Sequence, residues 1–324
     1  MLSRVADSLY WVGRYAERTE TNTHILAMQL ESMLEYSQLD GKYRNDWQNI
    51  VRICGYFDDY NSRYHTLNKE DLIYYLLNDI VNYNAINILL GKIRENAKNA
   101  RDIIPNELWE VWNELYLQMP QYEQYDNSLL NTMDQLMQIR RACLTATGVI
   151  DSLMTRDEGF LFLKIGKWLE RSEKTALTIY HLMQHNEKTL EKEFAISLGL
   201  KLTNVQEEFT RRTRKRDSDQ ILNFLMGDLK CTRSVAYGMK KIKTTIYDIE
   251  NGKQQIYATQ LFLAIEEIEQ LVQIDASTLS YEERIQWVDS IRTKCTELGP
   301  IFSRTYYLTP PILVGDEAYE KLTF

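Results

Sequence analysis

Leu9-Tyr-Trp-Val-Gly-Arg-Tyr-Ala-Glu-Arg-Thr-Glu20 decides how this chain is read, because it returns as Phe162-Leu-Lys-Ile-Gly-Lys-Trp-Leu-Glu-Arg-Ser-Glu173. With Gly13 set on Gly166, Arg14 meets Lys167, Tyr15 meets Trp168, Glu17 meets Glu170, Arg18 meets Arg171 and Glu20 meets Glu173. The match continues outward. Leu72-Ile73, Leu76, Asp79, Ala85-Ile86, Leu90 and Ile93 recur as Ile221-Leu222, Leu225, Asp228, Ser234-Val235, Met239 and Ile242, each 149 residues later. Ile139-Arg140-x-x-Cys143 recurs as Ile291-Arg292-x-x-Cys295, 152 residues later. Similar offsets in one order imply a duplicated unit of about 150 residues. The competing reading is that amphipathic helices resemble one another.

The expected fold is all-α: a helical bundle built from two internally duplicated units related by a pseudo-twofold. Residues 1–308 form a single helical domain, with repeat 1 at about 1–148, repeat 2 at about 149–308, and a tail at 309–324. Proline breaks helix interiors. Only five prolines occur in 324 residues, none before Pro105 and none between Pro120 and Pro300, which suits long helices. A 44% apolar content is enough for a sizeable core, and a net charge of −8 disfavours nucleic acid or an anionic membrane as partner. The four cysteines lie far apart without a C-x-x-C pair, as expected of reduced, buried thiols in the cytoplasm. Arg4, Asp7 and Arg14 interrupt the N-terminal apolar residues, so no signal-peptide core is expected, and no apolar run has the length of a membrane span.

Leu9, Gly13, Ala16, Thr23, Ala27, Leu30 and Leu34 mark the buried face of a first helix, from an N-cap at Ser3 to about Ser37. Gly13 costs helix stability, so it is expected to admit a neighbouring helix closely. Further helices are expected over 46–57, from N-caps at Asn68 and Asn84, after Pro105, and over 129–154. Gly148 is a possible break. Thr155-Arg-Asp-Glu158 fits a capping box opening the second Glu-Arg helix. Segment 186–219, with its basic run Arg211-Arg-Thr-Arg-Lys-Arg216, reads as one or two short helices and a solvated connection. Helical pattern resumes over 219–225, 232–249, 254–272 and 280–307. Pro310-Pro311 marks a non-helical tail.

On a helical wheel Glu20 falls within roughly 60° of Ala16 and Thr23, and Glu173 stands likewise to Leu169 and Ala176. A carboxylate there must be paired, bound or protonated. Tyr15 and Trp168 each precede an arginine, Arg18 and Arg171, by three residues, the spacing at which a ring supports a guanidinium. Two readings stay open. In one, these groups form a structural ion-pair network. In the other, a polar pocket between the two Glu-Arg helices has Arg18 and Arg171 hold an anion. Glu17, Glu170, Glu20 or Glu173 then binds an amine or moves a proton. His181 and His185 stand four apart, but no further ligands match their spacing, so a solvated helix end is expected and no metal. The sequence lacks a Walker loop, a dinucleotide fingerprint and G-x-S-x-G, and no cofactor is expected.

Taken together, Met1-Leu-Ser-Arg-Val-Ala-Asp-Ser-Leu-Tyr-Trp-Val-Gly-Arg-Tyr-Ala-Glu-Arg18, Arg94-Glu-Asn-Ala97 with Arg101 and Trp109, Met154-Thr-Arg-Asp-Glu-Gly159 leading into Gly166-x-x-Leu-Glu-Arg171, and Thr232-Arg-Ser-Val235 resemble the bacterial alpha-E domain family. The resemblance spans nearly the whole chain. It implies association with an ATP-grasp ligase-like protein and a transglutaminase-like peptidase, in systems thought to make or modify peptide-like amides. It adds Arg14, Arg101, Arg156 and Arg233 as candidate substrate-binding positions, with Arg4, Asp157 and Glu158 as further polar positions. The leading expectation is a cytoplasmic binding and scaffold partner of the ligase that holds a small acidic or peptide substrate in a charged pocket. The alternatives are an amide- or acyl-transfer enzyme with a pocket glutamate as general base, and a purely structural helical protein.

Overall fold

Long runs without proline and apolar positions at three- and four-residue steps fold here as helices. The computed structural model describes residues 3–36, 47–119, 128–184, 189–213 and 217–306. Among them stand fourteen α-helices and no strand. They are α1 (Ser3–Tyr36), α2 (Trp47–Cys54), α3 (Phe57–Tyr64), α4 (Lys69–Leu77), α5 (Ile86–Asn99), α6 (Asn106–Gln118) and α7 (Leu129–Leu153). Then follow α8 (Glu158–Gln184), α9 (Thr189–Leu202), α10 (Gln206–Arg212), α11 (Ser218–Gly227), α12 (Val235–Ile249), α13 (Thr259–Leu271) and α14 (Tyr281–Thr305).

The chain divides into two compact units. Unit 1 draws on residues 1–13, 156–200 and 205–324, and unit 2 on residues 14–155 and 201–204. In unit 1, α8 is the central helix, packed on α12 and α14, while α13 packs on both α12 and α14. Ile165, Leu169, Ala176 and Ile179 of α8 share one core with Val235, Met239, Ile242, Ile265, Ile291 and Phe302. The start of α1 belongs to this unit. Tyr10 stacks on Phe302 at 5.2 Å between centroids. A Cβ placed on Gly13 would lie 2.1 Å from the Leu163 carbonyl oxygen and 2.9 Å from the Lys167 nitrogen, both backbone atoms of α8. Gly13 thus admits a neighbouring helix, as its place in the pattern predicted.

In unit 2, α5 packs on α6 and α6 on α7, with α4 between α2 and α5. The expected helix over 46–57 stops at Cys54, and a separate α3 follows that the pattern did not foretell. Tyr75 explains the break. Its hydroxyl accepts the Tyr56 N–H (3.0 Å) and donates to the Tyr56 carbonyl (2.9 Å), so a side chain takes the N–H that a continuing helix would have bonded. A Cβ on Gly55 would come within 2.7 Å of the Tyr75 ring.

Several expected helix starts are corrected. Asn68 does cap α4, accepting the Asp71 N–H at 2.8 Å. α5, however, opens after Ala85 rather than Asn84, whose side chain is committed elsewhere. The Thr155 capping box is not the start of α8. The helix begins at Glu158, and Asp157 Oδ1 accepts the Phe160 N–H at 3.3 Å, because Asp157 is the residue immediately ahead of the first turn. The full capping box lies instead at Ser280 and Glu283, ahead of α14. Ser3 is already helical, and α7 runs through Gly148 without interruption. Ser37, Pro120, Pro310-Pro311 and the tail fall outside the described residues.

Candidate functional site

The first Glu-Arg copy belongs to unit 2. From Arg14 to Ala27, α1 is buried on almost every side rather than along one stripe, and Glu17 and Arg18 are only 2% and 6% exposed. Charges taken out of water must be compensated. None of Arg14, Glu17, Arg18 and Glu20 lacks a partner. Arg18 Nη1 donates to Asn84 Oδ1 at 2.8 Å. Asn22, one turn further along α1, donates its amide to the Asn84 main-chain carbonyl (3.2 Å) and to that of Cys54 (3.4 Å). The Asn84 N–H donates to Asn82 Oδ1 (3.0 Å), and the Asn82 amide donates to the Tyr75 carbonyl (2.9 Å). A chain of asparagines thereby ties the loop before α5 to α1 and α4.

Lys92 of α5 completes the cluster. Its ammonium lies 5.3 Å from the centroid of the Tyr15 ring and 5.2 Å from that of Tyr83, and donates to the Tyr83 carbonyl at 3.2 Å. Burial first, and then the nearby Arg18 charge, push this amine down to about 8. Tyr83 is half exposed, so one wall of the cluster faces water.

The second copy belongs to unit 1. Glu170 is fully buried and Arg171 is 8% exposed, again with neither lacking a partner. Arg171 lies over the Trp168 ring at 5.0 Å, the pairing its spacing predicted. Trp168 meets Tyr237 edge to face, and Lys241 lies over Tyr237 at 5.4 Å. The Thr175 hydroxyl donates to the Arg233 main-chain carbonyl at 2.8 Å. Glu173 lies near Cys295, whose thiol is pushed upward by burial and then by the Glu173 charge.

The remaining candidates are dispersed. Arg101 is exposed and rests on Trp109 at 5.3 Å. It lies two residues beyond the end of α5, the helix that carries Lys92. Arg156 is exposed and lies over Phe160 at 4.1 Å, just ahead of α8. The basic run is not wholly a solvated connection: Arg212 pairs with Glu208 at 2.9 Å and with Asp228, and lies over Phe224, while 214–216 fall outside the described residues. His185 also falls outside them. Among the described residues no group of three or more His, Cys, Asp or Glu is placed to hold a metal, and no helix is long and apolar enough to cross a membrane. All four cysteines are buried and none is in a disulfide.

Sequence reasoning missed Asn22, Asn82, Asn84 and Lys92. Asn22 carried a signal, standing four residues after Arg18 on one helix face. Lys92 carried another, since Lys241 follows it at the same 149-residue offset as its neighbours.

Neither a curated protein nor a solved structure matches the chain. One family model does match, over residues 1–307, and its description is a predicted alpha-helical domain with a conserved ER motif. Glu17-Arg18 and Glu170-Arg171 are the Glu-Arg pairs around which both units have just been described. The chain therefore belongs to the Alpha-E family.

Proposed function

We propose that this Alpha-E chain is a helical binding and scaffold partner of an ATP-grasp ligase system that makes or modifies peptide-like amides. It holds an acidic or peptide substrate in a charged pocket at its Glu-Arg turns. The observation that carries this reading is the unit 2 cluster: a buried Arg18 fixed by Asn84, a second cation at Lys92, and a tyrosine wall open to water. Fixed cations beside aromatic surface suit recognition of a carboxylate-bearing peptide.

We also propose that the chain is an internal duplication. Helix order and length support it: α4 to α7 have 9, 14, 13 and 25 residues, and α11 to α14 have 10, 15, 13 and 25. Loop bonding supports it too. Asn22 donates to the Asn84 carbonyl, as Thr175 donates to that of Arg233. Asp79 Oδ1 accepts the Val81 N–H at 3.0 Å, as Asp228 Oδ1 accepts that of Lys230 at 2.7 Å.

The test is capture of an ATP-grasp ligase and of a glutamate-bearing peptide by the purified chain. Failure of both to bind refutes the scaffold reading. The burial of Glu17 and Glu170 favours a second reading, in which one of them is a general base for amide or acyl transfer. Turnover by the isolated protein that persists in both Glu17→Gln and Glu170→Gln removes them from that role.

A further inference from the structure

Lys92 differs from the described cations that pair with a carboxylate. Lys243 pairs with Glu269, Lys294 with Glu267, Arg284 with Asp219, Arg292 with Asp289 and Arg212 with Glu208. Lys92 meets no carboxylate among the described residues. The groups that face it are Tyr15 and Arg18 from α1 and Tyr83 from the loop before α5. An ammonium has three donors, and one is spent on the Tyr83 carbonyl. The ring faces attract its charge and Arg18 repels it. An anion set there would satisfy the open donors and relieve the repulsion together. One negative charge suffices, because Arg18 already donates to Asn84.

We infer that Lys92 is the receptor for a carboxylate of the bound ligand, which its open N–H donors hold between Tyr15 and Tyr83 beside Arg18. The inference rests on the substrate-holding reading above and names the group that is held. It also carries a proton signature. The carboxylate favours the charged amine, so binding raises the proton affinity of Lys92. With the free amine at about 8, affinity is full below that pH. Above it, affinity falls by about tenfold per pH unit until the higher value of the bound state is passed.

The test uses the full chain and the peptide Ac-Ala-Glu-Ala-NH2, titrated calorimetrically at pH 7 and pH 9, with inorganic phosphate in a second arm. Lys92→Met and Lys92→Arg are compared with the parent protein after circular dichroism establishes that each is folded. An NMR titration of the Lys92 side chain in the parent protein, with and without peptide, reads the proton signature without any variant. The expected results are binding about tenfold weaker at pH 9 than at pH 7, a loss of tenfold or more in Lys92→Met, and retained, pH-independent binding in Lys92→Arg. The NMR midpoint moves upward with peptide. Equal peptide affinity in Lys92→Met, a flat pH profile, no peptide binding by the parent protein, or Lys92-dependent binding of phosphate alone would each overturn the inference. Ligase capture is read separately, so the scaffold reading survives or fails on its own result.

Discussion

Gly13→Ala should destabilise the protein although alanine is the better helix former. In a helix interior the exchange by itself favours folding by about 1 kcal/mol. At Gly13 the new methyl would stand 2.1 Å from the Leu163 carbonyl oxygen and 2.9 Å from the Lys167 nitrogen. Both obstacles are main-chain atoms of α8, so no rotamer change clears them and the helices must separate. Overpacking of this kind costs about 3 kcal/mol, at the upper end of its range. The net loss is then about 2 kcal/mol, or about 4–8 °C in Tm for a unit of this size. Gly148→Ala is the internal control. It sits exposed in α7 with nothing within 4 Å of the added methyl, and should stabilise by about 0.5–1 kcal/mol. Gly238→Ala should fall between them, since its nearest obstacle is the Ser172 hydroxyl, an atom of a side chain that can rotate. Urea denaturation followed by circular dichroism measures all three. Should Gly13→Ala match or exceed Gly148→Ala in stability, the close approach of α1 to α8 is wrong.

Arg18→Ala removes a charge-assisted bond and strands the Asn84 amide oxygen, at a cost of about 2–3 kcal/mol. Peptide binding should vanish with it, and a variant that loses stability but keeps binding would return the Glu-Arg turn to a purely structural role. Burial raises Asp7 to about 6 against a bonding contribution from Trp11, so its neutral form is favoured in the fold. Stability should therefore rise as pH falls from 7 toward 5, and Asp7→Asn should flatten that slope in denaturation midpoints across the range. Tyr257 is pushed up to about 12, chiefly by its bond to Glu250, which also accepts from the Tyr306 hydroxyl at 2.7 Å. In Glu250→Gln, NMR titration should find Tyr257 ionising nearer 10. An unchanged midpoint would mean that the carboxylate is not the cause.

The helices were legible where one physical rule dominated. Proline spacing and apolar periodicity located α1 and α7, periodicity alone located α14, which runs through Pro300, and Asn68 announced α4 by standing ahead of two acids. Rules failed where a distant side chain intervened. Tyr75 divides α2 from α3 from nineteen residues away, and Asn84 is drawn off its capping role by Arg18. The site was half legible for the same reason. A repeated Glu-Arg pair is visible along a single helix, but Asn82, Asn84 and Lys92 come from another stretch and meet it only on folding. The wheel pointed to Glu20, yet Glu17, 2% exposed, is the more deeply buried of the two.

Asn84 is gripped at both ends of its residue: Arg18 takes the side chain and Asn22 takes the main chain. Tyr83 is its neighbour in the chain, and the Tyr83 carbonyl receives the Lys92 amine. The seat of that amine is thus pinned by two side chains of α1, a helix to which Lys92 does not belong.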